Sequence, residues 1–413
     1  MRSQVGITGI GIVSSLGMNV EQNWENLCRR ASGISRIEFL GHQAFPHCQC
    51  GGIKNYEPST FVTNKKLLKL MNRESQLAFI AAQQALDNSG IHHHYIPDRI
   101  GLYLGTGLTS GDLENLVPIV ENSIDTDGRF SYSFLGTKAL NKCNPLLSFK
   151  ILPNMALSYI SIEHNIQGPN MVFNPWSGNA AQTVLAAKRA IELGEIDCAL
   201  VGGCDSKCNY VGFLTLTHLG LLSQKGVSNP FTPEADGIIP GEGAAFIVLE
   251  SFEHASRRNA TIYAEICGGE CSTDCSSVEL YPTTSVHLES NMQGALDDAG
   301  IRVNDIDLIC TSANSHPISD DSERQAIEHI FEQQKPELAT LSLFTGDLMA
   351  AASVFSIGIC AYSFTQEQQM PFFSNCTNDN EKKMPNGGKI QTALINAFAI
   401  GNTKASLIIR NVI

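Results

Sequence analysis

Ser177 is the residue whose setting points most directly to chemistry. It lies in Asn174-Pro175-Trp176-Ser177-Gly178-Asn179, a stretch too broken by proline and glycine to be strand or mid-helix. Asn170–Phe173 before it is a short apolar run that reads as a strand. After it Ala180, Val184, Ala187 and Ile191 recur at helical spacing, and Gly194 ends the pattern. Ala199-Leu200-Val201 then reads as a buried strand closed by Gly202-Gly203. A hydroxyl at such a strand-to-helix turn sits beside the first free N–H groups of the helix. A nucleophile and an anion stabiliser can be placed together there. Serine is a weak nucleophile unless a base lies within hydrogen-bond reach. His316 and Asp320, in TSANSHPISDDSE, can be written with Ser177 as a hydrolytic triad. The flanking sequence is not G-x-S-x-G, however, and spacing alone fixes no geometry.

Other chemistry-bearing residues point elsewhere. The thirteen cysteines are scattered, and Cys198, Cys310 and Cys360 sit inside apolar runs. No signal-peptide pattern opens the chain, so reduced thiols in a cytoplasmic protein are expected. Cys267, Cys271 and Cys275 are spaced by four without a histidine near, a poor zinc pattern, and no metal is expected. His92-His93-His94 follows Gly90 and reads as a solvated turn. The net charge of −13 argues against nucleic-acid binding, and no apolar run reaches membrane-span length. Docking of an acidic partner would need a local basic patch, for which Lys65, Lys66, Lys69 and Arg73 are one candidate, a solvated helix face being the other reading.

The elements that position these residues alternate between strand and helix. Gln4–Ile12 is an opening strand with no G-x-G-x-x-G after it, so no dinucleotide cofactor is expected. Val20–Arg29 is a helix capped by Asn19, and Leu67–Ser89 is a long amphipathic helix ending at Gly90. Asp98–Gly107 is a strand and turn, Leu108–Leu135 reads as polar and irregular, and Leu146–Asn165 is apolar and mixed. Beyond Glu250 the pattern repeats in outline. Ala260–Gly268 is a strand, Ser285–Asp298 a helix, Ile306–Thr311 a strand, Asp320–Phe331 a helix, Leu338–Gly346 a strand and turn, and Leu348–Phe364 an apolar helix. Thr392–Phe398 and Ser406–Asn411 close the chain as strands. Two βαβ-rich halves follow, residues 1–250 and 251–413.

Several stretches together resemble the β-ketoacyl-ACP synthases of the thiolase superfamily. QVGITGIGI resembles their V-x-I-T-G-x-G-x-V opening, Gly33–Ile37 their G-x-S-x-I, and Leu67–Ser89 their M-x-R-x-x-x-x-A helix. Asp236–Glu250, DGIIPGEGAAFIVLE, closely matches D-G-x-x-x-G-E-G-A-x-x-x-V-L-E. The resemblance runs from about residue 4 to the end. It implies an α/β protein of the duplicated, five-layered α/β/α/β/α thiolase-like fold. In the G-E-G segment Gly241 and Gly243 would allow close backbone approach, with Glu242 accepting hydrogen bonds from turn N–H groups in a scaffold role.

Aligned on Gly168-Pro169 and Gly202-Gly203, the family's nucleophilic cysteine falls at Ser177. Its two histidines fall at Ser312 and Asp347, its lysine at Ser342, and a further glutamate at Ser356. The G-F-G-G-T-N loop becomes Ala399-Ile400-Gly401-Asn402-Thr403-Lys404. The resemblance therefore implies loss of catalysis. It points to the chain-length factor of type II polyketide synthases, a non-catalytic subunit. Such a subunit pairs with a catalytic ketosynthase and shapes the cavity that limits poly-β-keto chain length. The usual glutamine at the nucleophile place is serine here, which fits a divergent branch making an anthraquinone-like aromatic or an aryl polyene. The expected partners are the ketosynthase α subunit, in a heterodimer, and an acyl carrier protein. The expected tunnel and interface residues are Gly111, Glu114, Pro118, Met155 and Ile400. Two other functions stay open at this point, a Ser177-dependent acyltransferase or hydrolase and a homodimeric acyl-binding scaffold. Asp347 could serve the first as a base if buried.

Overall fold

The structure, a computed structural model, describes residues 3–37, 48–108, 113–175, 177–274, 280–281, 283–366 and 389–412; for Ser177 it describes the backbone alone. The first half contributes β1 (Val5–Ser14), β2 (Ile100–Thr106), β3 (Asn170–Phe173), β4 (Cys198–Ser206) and β5 (Glu242–Ser251). The second contributes β6 (Ala264–Thr273), β7 (Leu308–Cys310), β8 (Glu337–Ala339), β9 (Thr392–Phe398) and β10 (Thr403–Arg410). The strands lie in the order β8-β7-β9-β10-β6-β1-β5-β4-β2-β3. Read outward from the junction, β1-β5-β4-β2-β3 and β6-β10-β9-β7-β8 are one arrangement used twice. Corresponding neighbours also agree in direction: β1 with β5 and β6 with β10 are antiparallel, and β2 with β3 and β7 with β8 are parallel. The halves meet edge to edge through Gly6↔Glu265 and Ile7↔Ala264.

Helices close both faces of each half. The first is α1 (Arg73–Ser89), which the Asn72 side chain starts by accepting from Ser75 N–H, and which Gly90 ends in the left-handed region at φ 66°. Asn72 is also the reason the expected Leu67–Ser89 helix is broken, since its cap separates α1 from a short turn at Lys65–Leu68. The remaining packing helices are α2 (Ser177–Glu192), α3 (Val286–Ala299), α4 (Pro317–Ile330) and α5 (Ala352–Ser363). The helix α1 packs Leu77, Ala81 and Ala85 against Leu102, Leu104, Leu200 and Phe246 on one outer face. Between the two halves α2 supplies Ala180, Val184 and Ala187 and α5 supplies Val354, Ile357 and Ala361 to the largest core cluster. On the far face α3 and α4 pack Met292, Leu296, Ala326 and Ile327 against Ile309, Leu394 and Ile408. The layers are thus α/β/α/β/α. Of the two central helices α5 is apolar nearly all round because both its faces are covered, whereas α2 carries Lys188, Arg189 and Glu192 at its C-terminal end. Close approach needs small residues at the contact: a Cβ on Gly105 of β2 would lie 2.4 Å from Ala180 Cβ.

The expected irregular stretch 108–135 is not irregular throughout. It contains a helix, Leu113–Asn122, with Pro118 inside it. No described helix is long and apolar enough to cross a membrane.

Candidate functional site

The four family positions whose side chains are described converge where the ends of β7 and β9 meet α5 and the segment before it. Ser312, Ser342, Asp347 and also Ser356 line one cleft with Tyr281, Asn314, Phe355 and Ile400. The cleft encloses about 40 Å³, room for about three water molecules. Its described lining has one carboxyl, Asp347, and no lysine, arginine or histidine.

The hydroxyls of Ser312, Ser342 and Ser356 are each committed to backbone. Ser312 Oγ donates to Phe398 O at 2.9 Å and accepts from Phe398 N at 2.8 Å. Ser342 Oγ donates to Ala313 O at 2.6 Å, and Ser356 Oγ to Ala352 O one helical turn back at 3.0 Å. Ser312 N–H in turn is held by the Glu323 carboxylate at 3.0 and 3.1 Å, which also accepts from Asn396 Nδ2 at 2.9 Å. These bonds tie β7, α4 and β9 together. They take up the protons of the Ser312, Ser342 and Ser356 hydroxyls.

Asp347 is half-buried. Its carboxylate accepts from Asn314 Nδ2 at 2.7 Å and from Met349 N at 2.8 Å. Burial raises its pKa against the lowering effect of those two donors. Asp320 accepts from the N–H groups of Asn314, Ser315 and Phe231 at 3.0, 3.0 and 3.1 Å, and burial still pushes it up to about 6. Glu323 is pushed up to about 8 for the same reason. A negative transition state formed here would face carboxyl groups and no cation.

His316 does not complete a triad with Asp320. Its Nδ1 accepts from Ser319 N at 3.4 Å as the cap of α4, and its ring stacks on Tyr281 at 4.5 Å. All the contacts of Asp320 above are with backbone amides. Ser177 opens α2, as a turn nucleophile would require, but its side chain lies outside the described residues.

Glu242 is buried, and of the expected turn N–H groups one, Ile53 N–H, donates to it, with side chains as its other partners. It takes a two-pronged ion pair from Arg73 at 2.7 and 2.6 Å, Ile53 N–H at 2.8 Å and Ser206 Oγ at 2.8 Å. It thereby joins α1, β4 and the residue 53 loop. A Cβ on Gly241 would lie 2.7 Å from Thr345 O, and one on Gly243 2.6 Å from Val13 O. The glycines therefore permit the close approach that holds Asp347 N to Ile239 O at 2.7 Å. Because Arg73 turns inward to Glu242, only Lys65, Lys66 and Lys69 of the candidate basic patch stay exposed.

Of the expected tunnel residues, Ile400 lines the cleft. Glu114 and Pro118 lie on the exposed helix Leu113–Asn122, Met155 packs against the first outer core cluster, and Gly111 lies outside the described residues. Asn314 and Tyr281, which fix Asp347 and His316, carry no sequence signal beyond Asn314 lying in the TSANSHP segment. Cys267 packs against the far-face cluster and Cys271 against the central one, on opposite sides of β6, and burial pushes both thiols up to about 12. Cys275 lies outside the described residues. No group of three metal-ligating side chains occurs among the described residues.

Comparison with known proteins places this geometry. The sequence matches the family "Beta-ketoacyl synthase, N-terminal domain" over residues 2–255 and "Beta-ketoacyl synthase, C-terminal domain" over residues 263–377. It is 28% identical over 426 residues to the 3-oxoacyl-[acyl-carrier-protein] synthase 2 of Coxiella burnetii (strain RSA 493 / Nine Mile phase I), covering 100% of this chain and 99% of that protein. Among solved structures, the ishigamide ketosynthase/chain length factor superposes with a TM-score of 0.85 at 24% identity, with both chains fully covered. The ketosynthase complex AntDE:AntF, described as a type II PKS acyl-carrier protein with its ketosynthase bound to the hexaketide, superposes at 0.82 with 21% identity, again over both full chains. The duplicated five-layer fold and the family match over most of the sequence lead to one statement: the chain belongs to the β-ketoacyl synthase family of the thiolase superfamily.

Proposed function

We propose that the chain is a non-catalytic ketosynthase-fold subunit, a chain-length factor. In this reading it pairs with a catalytic ketosynthase of a type II polyketide system and bounds the cavity in which the poly-β-keto chain grows on its carrier protein. One observation carries the reading. At the places assigned to the two histidines, the lysine and the glutamate, the side chains are Ser312, Asp347, Ser342 and Ser356, and the serine hydroxyls are bonded to backbone around a cleft of about 40 Å³. Decarboxylation of a malonyl unit needs a stabilised enolate, and none of these four side chains is a cation. The division into halves at residues 1–250 and 251–413 belongs to the same proposal, as does an origin of the subunit in a catalytic ancestor. A solved relative of this fold is itself named a ketosynthase/chain length factor, which supports the reading without transferring the role.

The test is co-expression with a catalytic ketosynthase encoded beside it, followed by native mass spectrometry. A one-to-one heterodimer is expected, and Ser177→Ala should leave its polyketide output intact. A homodimer that ignores the ketosynthase overturns the reading. So does output that falls to background in Ser177→Ala, or a mass gain at Ser177 after incubation with an acyl-carrier thioester.

A further inference from the structure

Three adjacent strands of the first half, β3, β2 and β4, run parallel, and the Ser177 turn follows the carboxyl end of β3. Open α/β sheets take their ligands just beyond such strand ends. In this chain that place is filled by buried side chains. Asn174 Nδ2, just past β3, donates to Gly107 O at 2.7 Å and to Thr106 Oγ1 at 3.0 Å. Asp205, near the end of β4, presses on the same segment, since a Cβ on Gly107 would lie 1.8 Å from Asp205 Oδ2. Lys207 is among the largest fully buried side chains. It donates to Leu108 O at 2.6 Å and to Asp205 Oδ1, which also accepts from Ser206 N at 2.8 Å. Asp205 Oδ2 is buried and accepts no hydrogen bond. Leu108, whose carbonyl Lys207 holds, is itself 46% exposed, so the pair lies directly beneath a surface residue.

Two further acids face this pair. Glu74, in the first turn of α1, accepts from Cys204 Sγ at 3.7 Å. Burial raises its carboxyl to about 8, with the Asp205 charge adding to it, so it is uncharged at neutral pH. Burial pulls the Lys207 ammonium down, but the acids beside it, Asp205 first, more than offset that, and Lys207 stays charged. The second acid is Asp347. Burial is the main cause of its raised pKa and the Asp205 charge adds to it, which sets the pair within electrostatic reach of the cleft. A buried ion pair is no more stabilising than an apolar pair of the same volume. Stability alone therefore gives no reason for a lysine and an aspartate at these strand ends. What the pair does there is fill space and hold the Leu108 carbonyl.

We infer that Lys207 and Asp205 are length-determining residues, their bulk forming the end wall, on this subunit's side, of the cavity in which the poly-β-keto chain grows. The inference rests on the chain-length-factor reading of the preceding section. A chain that reached the ends of β2 and β4 would have to pull Lys207 from both Leu108 O and Asp205 Oδ1. That displacement would leave Asp205 buried without its counter-charge, which is strongly unfavourable, so the wall does not yield. Truncating both side chains leaves a cavity with room for about two –CH2–CO– units.

The experiment compares polyketide lengths, by mass spectrometry, from the co-expressed complex carrying the wild type or Asp205→Ala/Lys207→Ala. Both partners of the pair are removed together so that neither charge is left alone. The double variant is expected to lengthen the product by about one or two ketide units. Asp205→Ser/Lys207→Ser replaces it should it fail to fold. Restoring the bulk without the charge, in Asp205→Asn/Lys207→Met, is expected to restore the shorter product. Equal lengths from the wild type and the folded alanine or serine variant overturn the inference. So does lower output at unchanged length, which marks a merely structural pair, and so does a longer product from Asp205→Asn/Lys207→Met, which makes charge and not bulk the determinant. A wild type that captures no ketosynthase overturns the heterodimer reading instead. The full chain alone then decides the wall, with pentane-2,4-dione at about 10 mM as the probe. Ligand-observed NMR is expected to show it bound by the alanine variant and not by the wild type, and equal binding overturns the inference.

Discussion

Replacing Ser312 by alanine separates a structural hydroxyl from a catalytic one. Ser312 Oγ both donates to and accepts from Phe398, at 2.9 and 2.8 Å, and Phe398 is buried in β9. Alanine leaves the Phe398 N–H without its acceptor, and takes a donor from its carbonyl, at the wall of a cleft with room for only a few water molecules. Each buried group left unpaired costs about 1–3 kcal/mol, so the change should destabilise the β7–β9 contact by about 2–4 kcal/mol. A protein of two fused halves need not unfold in one step, so the readout should be local. Amide hydrogen exchange over residues 392–398 should quicken by roughly 30- to 1,000-fold in Ser312→Ala, the factor that energy represents. Polyketide output of the complex should persist wherever the complex survives. Ser356→Ala is the control: its hydroxyl serves a carbonyl one turn back inside α5, and its removal should change little. Unchanged exchange at 392–398 would refute the claim that Ser312 is a backbone clamp. Lost output with unchanged exchange would return Ser312 to the chemistry.

Glu323 predicts a pH dependence. Burial raises its carboxyl from 4.5 to about 8, so the folded state holds a proton that the unfolded chain has already released. Stability is fully present below the ordinary glutamate range and is lost as pH rises toward 8, by about 1.4 kcal/mol per pH unit. Urea denaturation of Glu323→Gln across that window should show a slope smaller by one proton, and an unchanged slope would contradict the assignment. Glu74, buried and raised to about 8, should supply a second proton of the same sign. Glu242→Gln weakens the group that gathers Arg73, Ile53 and Ser206. Removing one charge of a buried pair costs about 3 kcal/mol, and a thermal midpoint equal to that of the wild type would show that Arg73 finds its partner elsewhere.

Much of the fold was legible because its signals are local. Gly90 and Gly300 end helices in the left-handed region at φ 66° and 64°, where a residue with a Cβ is strained. The all-apolar Leu348–Phe364 run announces a helix with no solvent face, which α5 is. What failed had a competing local cause or a distant one. The Leu67–Ser89 pattern continues apolar spacing across Asn72, and only the side-chain cap on Ser75 breaks it. Periodicity gives no warning of that, because the cap residue also fits a polar helix face. The helix Leu113–Asn122 was hidden by Pro118, although Leu113, Leu116, Val117 and Val120 do fall at helical spacing. The site was half legible. That Ser312, Asp347 and Ser342 replace ionisable groups is visible in the sequence. That Ser312 clasps a residue 86 positions away is not, nor is Tyr281 packing on His316.

The carboxyls around the cleft bear on how catalysis would be lost in such a site. Asp320 and Glu323 each hold backbone N–H groups, Asn314 and Ser315 for the first and Ser312 for the second. Both therefore shape the wall whether or not a histidine stands at residue 312. Once the cations are gone, two buried acids with no counter-charge are costly if ionised; burial raises Glu323 to about 8, so it keeps its proton at neutral pH, while Asp320, raised to about 6, is held by three backbone N–H groups. Restoring one histidine at Ser312 would then give it acids for neighbours without a nucleophile to serve, while breaking the Phe398 clasp. Reversal at residue 312 by a single substitution is thus uphill.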